Sequence, residues 1–354
     1  MQELIGSVLA GEGFLSTLSP TLITVVFVAV AGLIFAAVAA LNALVLVYVE
    51  RKVSAHMQDR LGPMEVGPHG IFQTLADALK LVLKEDIVPE KADRWLHLLA
   101  PFLVFASAIA AFVALPYSSR FLIANFDIGV LFVLAITSFN VVGIIIAGWA
   151  SNNKWSLLGG MRSAAQIVSY EVPTALSLLV IIMQTGSLNF QHIADAQAGW
   201  FWQWHVFKFF PFNLIAFLIF FTASLAEVNR TPFDLPEAES ELVAGFMTEY
   251  SGFKWAAFML SEYANMFVVS AVGAAVFLGA YQSPFGGTVS QYVNGGVWGV
   301  FWLLSKVYAL ILVQMWLRWT LPRLRVDQLM YTSWKVLTPF AFLCIFAVGL
   351  WMVL

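Results

Sequence analysis

The chain has 354 residues, of which 60% are hydrophobic and 11% are charged, and its mean hydropathy is +0.84. Because a soluble domain carries about a quarter charged residues, this composition excludes a soluble enzyme and a disordered protein. The net charge of −3 gives no basic surface for a polyanion, which excludes a nucleic-acid-binding protein. The composition is that of an integral membrane protein.

Long uncharged runs give the predicted elements in chain order. A helix that crosses a bilayer needs roughly 20 apolar residues, and the run over 263–305 holds parts of two helices because a turn cluster at 283–287 interrupts it. We predict an all-α membrane protein, a single domain over 1–354 that forms a bundle of eight transmembrane helices. The predicted spans are 20–49, 97–116, 128–150, 163–185, 208–229, 255–281, 297–320 and 334–354.

The lysines and arginines predict how this bundle lies in the membrane. Fifteen of the 18 lie in or beside the segments that follow spans one, three, five and seven. The opposite side has Arg120 and Lys208, and Lys306 falls within span seven. Because cytoplasmic loops are enriched in lysine and arginine, we expect the odd-numbered loops in the cytoplasm and both termini on the outer side.

The first cytoplasmic loop contains an amphipathic pattern over 68–85. Its apolar stripe consists of Ile71, Leu75, Leu79 and Val82. Its polar stripe consists of Gln73, Asp77, Lys80 and Lys84. This spacing predicts a helix that lies at the membrane interface or against the bundle. Asp77 is the candidate functional residue of this helix, because it lies on the polar stripe among lysines.

The loop after the fifth span, over 226–242, is acidic, although cytoplasmic loops favour the opposite sign. Its acids are Glu227, Asp234, Glu237, Glu239 and Glu241, and its single basic residue is Arg230. Clustered carboxylates repel one another, and sharing protons as a coupled set relieves that repulsion. Apolar residues such as Phe233 and Leu235 alternate with the acids, so we favour a buried polar site over a solvated acidic loop.

Further acids lie within or at the ends of predicted spans. Glu50 ends the first span, Glu171 lies within the fourth and Glu262 lies within the sixth. An ionised acid at mid-bilayer costs roughly 2.5–3.5 kcal/mol, so such residues face protein or water and commonly mark proton paths. Glu50 and Glu227, at span ends, have the alternative of reaching the membrane surface.

The sequence offers little chemistry for binding a metal or for catalysis. A single cysteine, Cys344, excludes an iron–sulfur cluster held by this chain alone, and no two of the five histidines pair on a span as haem ligands. A phosphate-binding loop and a dinucleotide-binding glycine motif are absent. We therefore expect neither a metal site nor a catalytic residue here, so that any electrons must come from a partner.

Several polar motifs, in order from the first span to the last, resemble those of one family. They are Glu50–Lys52, Gln58–Pro63, Gly159–Gln166, Ser169–Glu171, Ala226–Val243, Glu249–Gly252 and Arg323–Leu329. In these motifs the sequence resembles the H subunit of the proton-translocating NADH:quinone oxidoreductases. That family is the bacterial counterpart of the ND-one subunit of mitochondrial complex I. The resemblance is specific, because several consecutive motifs agree rather than one short pattern.

The resemblance implies a membrane subunit at the junction of the peripheral and membrane arms. Such a subunit forms the chamber through which quinone arrives from the bilayer, and it couples quinone reduction to proton translocation. By position in the motifs, Glu50, Arg51, Asp77 and Arg230 would line that chamber. The acids that would carry the proton or electrostatic connection are Glu171, Glu227, Glu237, Glu239, Glu241, Glu249 and Glu262.

The resemblance also implies cofactors and partners outside this chain. Other subunits would hold FMN and the iron–sulfur clusters, and quinone would be the substrate. The implied partners are the peripheral-arm iron–sulfur and quinone-site subunits, small membrane subunits and antiporter-like subunits. The implied location is the bacterial cytoplasmic (inner) membrane.

Three other interpretations stay open on the sequence. A homologous subunit of a membrane-bound hydrogenase, a formate hydrogenlyase or an F420H2 dehydrogenase would share the fold, and its partner subunits would distinguish it. A stand-alone secondary transporter also uses interrupted helices, such as the one containing Pro173, but no inverted repeat is visible and the charges gather at one face. A plain anchor for a soluble module would make no contact with quinone.

Overall fold

The computed structural model describes residues 20–236, 239–286, 294 and 296–354, with the backbone alone described for 20–24, 27, 28, 239 and 240. All regular structure in these residues is helical, as predicted, and none of them forms a β-strand. We number the α-helices in chain order. They are α1 (Pro20–Met57), α2 (Gln73–Leu83), α3 (Arg94–Phe112), α4 (Gly129–Ala150), α5 (Lys154–Thr185), α6 (Phe190–Asp195), α7 (Phe212–Glu227), α8 (Glu239–Leu242), α9 (Gly252–Phe277), α10 (Val297–Thr320), α11 (Val326–Tyr331) and α12 (Thr338–Val353).

Short irregular helices connect some of these elements. Three 3₁₀ turns occur at Pro68–Gly70, Phe201–Gln203 and Gly245–Met247. A π-helical segment, Thr332–Leu337, joins α11 to α12, so that the two form one continuous apolar unit.

In the described part of the chain, seven helical units are long and apolar enough to cross a membrane. They correspond to seven of the eight predicted spans. The remaining prediction, 208–229, corresponds to α7, which is apolar but has only 16 residues. At 1.5 Å per residue α7 is about 24 Å long, shorter than the roughly 30 Å hydrocarbon core, so the count of eight stays a prediction.

The predicted span ends differ from the helix ends because polar caps and turns set them. Asp93 accepts hydrogen bonds from the backbone amides of Trp95 and Leu96, so α3 occupies 94–112 rather than 97–116. Asn153 caps α5 in the same way, and α5 therefore begins at Lys154 rather than at 163.

The other ends shift for similar local reasons. The first helix continues past 49 to Met57 through a polar segment that hydropathy does not register. The amphipathic helix is confined to 73–83 within the predicted 68–85, after a separate 3₁₀ turn. The sixth span, predicted over 255–281, is the helix over 252–277, and the last one, predicted from 334, begins at Val326.

Helix α9 is the centre of the bundle. All of its residues from Tyr263 to Phe277 are buried, and it packs against α1, α2, α3 and α10. The pairs α3–α4, α4–α5 and α5–α7 form the remaining layers. Close approach of α3 and α4 depends on Gly143, where an added Cβ would overlap the side chain of Val104.

Helix α2 lies against the bundle, where it contacts α1 and α9. Its apolar stripe is exposed, with Leu79 55% and Val82 60% accessible. Asp77 of the polar stripe instead faces the end of α1, where it forms an ion pair with Arg51, whereas Lys80 and Lys84 are exposed. This packing places Asp77 beside the cavity described next.

Candidate functional site

A large cavity lies between α1, α2 and α9. It has a volume of about 460 Å³. Most of its wall is aliphatic or aromatic, and the apolar lining includes Ala43, Leu44, Val47, Leu81, Val82, Phe253, Trp255, Met259 and Leu260. Its polar lining includes Glu50, Arg51 and Asp77, which are three of the four residues that the sequence assigns to a chamber. The cavity therefore has apolar walls and a cluster of charged groups.

Glu50 is the centre of that charged cluster. Its side chain is 8% exposed and contacts the guanidinium groups of both Arg318 and Arg230, the latter at 3.5 Å. The hydroxyl of Tyr263 donates a hydrogen bond of 2.8 Å to the other carboxylate oxygen. A buried carboxylate needs such partners, because an unpaired buried charge is strongly destabilising.

Arg51 and Asp77 form a second ion pair at the cavity wall, with 2.5 Å between Nη1 and Oδ2. Lys80 lies 3.5 Å from the other oxygen of Asp77. Partial burial acts to raise the pKa of Asp77, but the hydrogen bond and charge of Arg51, with the charge of Lys80, outweigh it and hold that pKa below its usual value. Asp77 is therefore ionised at neutral pH.

Arg230 connects the cavity to the interior of the bundle. Its guanidinium stacks on the ring of Tyr263 at 4.7 Å and lies 4.0 Å from Glu262 as well as near Glu50. Although Arg230 does not line the cavity wall itself, it contacts two residues that do, Glu50 and Tyr263. One cation thus lies between two acids on different helices.

Local backbone structure explains why Arg230 takes this position. Helix α7 ends at Glu227, and Asn229 then adopts a left-handed backbone conformation with φ of 53°. The buried amide of Gln166, on α5, donates to the backbone oxygens of Ala226 and Phe233 at 2.8 and 2.7 Å. These contacts fix both ends of the loop that carries Arg230.

Several apolar side chains of the loop after α7 and of the segment that follows it are packed into the bundle. Phe233, Leu235, Leu242 and Phe246 are buried, as expected for a loop that is not solvated. Val243, which follows Leu242, is instead 65% exposed.

A second, narrow cavity brings two further acids together. It has a volume of about 10 Å³ and is lined by Glu227 and Glu262, by other polar residues such as Asn140 and Asn265, and by apolar residues such as Ile144 and Phe258. This size suits about one ordered water at the polar part of the wall rather than an organic ligand.

Glu171, on α5, is the next acid beyond Glu227. It accepts a hydrogen bond of 2.8 Å from Ser138 and interacts electrostatically with Glu227. The described structure thus places five ionisable residues in one series of neighbours. From the large cavity inward they are Glu50, Arg230, Glu262, Glu227 and Glu171.

The remaining predicted acids occupy other positions. Glu241 is 58% exposed and pairs with Arg162 at 2.6 Å, and Glu249 accepts a hydrogen bond of 2.6 Å from Asn153. Glu239 begins α8, but its side chain is not described. Glu237 lies outside the described residues.

Sequence reasoning did not identify Arg318 and Tyr263 as site residues. Arg318 lies within the predicted span 297–320, and a cation inside an apolar span was a signal that pointed to a buried partner. Tyr263 gave a weaker signal, its position next to Glu262.

The described side chains give no support for a metal centre in this chain. No group of three or more histidine, cysteine, aspartate or glutamate residues within the described ranges is arranged to hold a metal ion. The described site consists of charge pairs and hydrogen bonds beside an apolar cavity.

Comparison with known proteins agrees with this architecture. The sequence profile of the NADH dehydrogenase family matches residues 30–349. The chain is 55% identical over 312 residues to the H subunit of NADH-quinone oxidoreductase from Chlorobium luteolum, a match that covers 87% of this chain and 84% of that protein. It is 52% identical over 313 residues to the H subunit from Chlorobaculum parvum, with 87% of each chain covered.

A more distant relative gives the same result. The corresponding H subunit from Anaeromyxobacter dehalogenans is 46% identical over 342 residues, 93% of this chain and 83% of that protein. Together with the long apolar helices, these matches show a multi-pass membrane protein that is one subunit of a multi-subunit oxidoreductase. The chain therefore belongs to the NADH dehydrogenase family, as a membrane subunit of NADH-quinone oxidoreductase.

Proposed function

We propose that the cavity between α1, α2 and α9 is the chamber through which quinone reaches the electron-donating subunits. A quinone has a polar head on a long apolar tail, so its site needs an apolar cleft with a few polar groups at one part of the wall. The observation that carries this proposal is the coexistence of both features in one cavity of about 460 Å³.

The polar groups at the wall suit a quinone head. Arg51 and Arg318 line the cavity and carry guanidinium donors, and Tyr263 carries a hydroxyl. Cationic donors stabilise the negative charge that develops on quinone oxygens during reduction. The chamber residues of this proposal are Glu50, Arg51, Asp77 and Arg230, with Arg318 and Tyr263 added from the structure.

We infer that the series from Glu50 to Glu171 couples quinone reduction to proton movement. New negative charge in the chamber attracts the guanidinium groups around Glu50 and weakens the hold of Arg230 on Glu262. Glu262 then gains proton affinity, and Glu227, across the narrow cavity, responds in turn. Charge in the chamber thus changes proton occupancy inside the bundle without hydride chemistry in this chain.

The remaining acids have a supporting part in this proposal. The pair of Glu241 with Arg162 holds α8 against α5, and the contact of Glu249 with Asn153 holds the start of α9 near the α4–α5 turn. For Glu237 and Glu239 we keep the role in the proton connection that the family motif implies.

The proposal assigns the partners and the orientation as follows. The lysine- and arginine-rich loops face the cytoplasm of a bacterium and meet the peripheral-arm subunits, which carry FMN and the iron–sulfur clusters. Small membrane subunits and antiporter-like subunits continue the charge series, and both termini lie on the periplasmic side of the inner membrane. The relatives' names favour this complex over the hydrogenase, transporter and anchor interpretations.

Photolabelling of the intact complex tests the chamber. A photoreactive quinone should label peptides of α1, α2 or α9 that line the cavity, and excess unmodified quinone should suppress that labelling. Labelling confined to helices that do not line the cavity, or labelling that quinone does not compete with, would exclude this cavity as the chamber.

A further inference from the structure

The segment after α10 carries an arginine to which the proposed quinone chemistry gives no role. Helix α10 ends at Thr320, and residues 321–325 lead from it to α11. Within this segment, Nη2 of Arg323 donates a hydrogen bond of 3.0 Å to Oδ2 of Asp234, in the loop after α7. The segment is therefore joined to the loop that carries Arg230.

Two further contacts hold this segment against the same loop. The backbone amide of Leu324 donates to the carbonyl of Pro232 at 3.0 Å. The side chain of Leu324 also packs against the buried cluster that contains Phe233 and Leu235. Neither contact needs the charge of residue 323, so removal of the ion pair should loosen the two segments without separating them.

The ion pair between Arg323 and Asp234 is partly shielded from water. The side chain of Asp234 is 14% exposed and that of Arg323 is 36% exposed. Water weakens an ion pair between fully exposed side chains, and it weakens this pair less because the carboxylate is mostly withdrawn from solvent. The pair is thus able to restrain the loop.

The same pair closes a ring of contacts around Glu50. Arg318, at the end of α10, and Arg230, in the loop after α7, both contact Glu50. Arg323 follows Arg318 by five residues, and Asp234 follows Arg230 by four. Both arginines that contact Glu50 therefore lie on segments that the Arg323–Asp234 pair connects.

We propose that Arg323 is a positioning residue that, through Asp234, holds Arg230 and Arg318 in place around Glu50. Arg230 lies 3.5 Å from Glu50 and 4.0 Å from Glu262, so a shift of its loop changes its attraction to each acid. Arg323 lies outside the wall of the large cavity and acts through the two arginines. This role rests on the proposed function of the charged series.

The test measures hydrogen exchange and steady-state kinetics of the intact purified complex with Arg323→Gln. Exchange of the 226–236 peptide should become faster, whereas exchange of the 97–112 peptide should stay unchanged and show that the bundle remains folded. The kcat with quinone should fall about two- to fivefold, the effect of losing one partly exposed ion pair, while the KM for quinone and NADH oxidation by ferricyanide stay unchanged.

Three further variants separate positioning from a general loss of structure. Arg323→Lys keeps the charge and should retain most of the kcat. Arg323→Gln should have little effect in a complex that already carries Asp234→Asn, because the ion pair is then absent. Arg325→Gln removes the same charge two residues further on and should leave exchange of the 226–236 peptide and the kcat unchanged.

Unchanged exchange of the 226–236 peptide in Arg323→Gln would overturn the proposal, as would an equal loss of kcat in complexes with and without Asp234→Asn. Arg318→Gln in the same assay distinguishes this failure from that of the proposed function. If Arg318→Gln lowers the kcat and Arg323→Gln does not, the positioning role alone is wrong. If neither variant lowers the kcat, the proposed role of the charges around Glu50 is wrong and the positioning role with it.

Discussion

At the scale of single residues, the site depends on the way buried charges are paired. Glu50 lies between two arginines and a tyrosine, and Arg230 lies between two acids. Such shared pairs respond to added charge, because a guanidinium that moves toward one carboxylate leaves the other. The sequence could identify the acids and Arg230, since ionisable residues in or beside apolar spans are rare. Which arginine meets which acid depends on helix packing and could not be predicted from one sequence.

Arg318→Gln tests the pairing of Glu50. The change leaves Glu50 with Arg230 as its one arginine partner and draws Arg230 away from Glu262. We expect quinone reductase activity of the purified complex to fall at least about tenfold, a loss of roughly 1.4 kcal/mol in the transition state. NADH oxidation by ferricyanide should be unchanged. Arg325→Gln, at an exposed arginine beyond the same helix, is the matched control, and an equal effect of the two variants would contradict the pairing argument.

Asp77 gives a prediction about pH. The ion pair with Arg51 holds its pKa below the usual value, so this pair stabilises the folded state when Asp77 is ionised. That stability is fully present above the unfolded pKa of about 3.9 and is lost as the pH falls through the folded pKa. Hydrogen exchange of the 73–83 peptide should therefore show the same protection of α2 at pH 5 and pH 8, after correction for intrinsic rates. Asp77→Asn should reduce protection equally at both. A loss of protection in the unmodified complex between pH 8 and pH 5 would show that another group controls α2.

At the scale of elements, apolar runs predicted the existence and order of the membrane helices, whereas local polar groups set their ends. Side chains of Asp93 and Asn153 start α3 and α5 earlier than hydropathy indicates. A polar group also fixes the loop after α7, but here it is the side chain of Gln166 on the neighbouring helix α5. Pro232 and Pro236 lie in this loop but do not end α7, because that helix already ends at Glu227.

Gln166→Leu tests whether the loop after α7 positions Arg230. The variant removes the donor to the buried oxygens of Ala226 and Phe233. The oxygen of Ala226 keeps a hydrogen bond from the backbone amide of Asn229, so the expected cost is about 1–3 kcal/mol for the acceptor of Phe233. We expect faster hydrogen exchange over 226–236 and lower quinone reductase activity. Gln184→Leu is the control, because Gln184 hydrogen-bonds to Asn213 at the other end of α5. The control should lose local protection there while quinone reductase activity persists, and equal losses of activity would contradict a positioning role for Gln166.

At the scale of the whole molecule, the charged series joins a large apolar cavity to the interior of a helical bundle. The order Glu50, Arg230, Glu262, Glu227 and Glu171 uses residues from α1, the loop after α7, α9, α7 and α5. Each of these acids was a sequence candidate, but their order is a property of the fold. The exposure of Glu241 and the separate contact of Glu249 likewise follow from packing.

The most direct test of the account is the activity of the complex with Glu227→Gln, compared with Glu241→Gln. Glu227 lies within the series, whereas Glu241 is exposed and paired with Arg162. We expect Glu227→Gln to lose most quinone reductase activity and proton pumping in proteoliposomes while NADH oxidation by ferricyanide survives, and Glu241→Gln to retain most of all three. Full quinone-linked activity and pumping in Glu227→Gln would contradict the coupling of quinone reduction to proton movement through these acids.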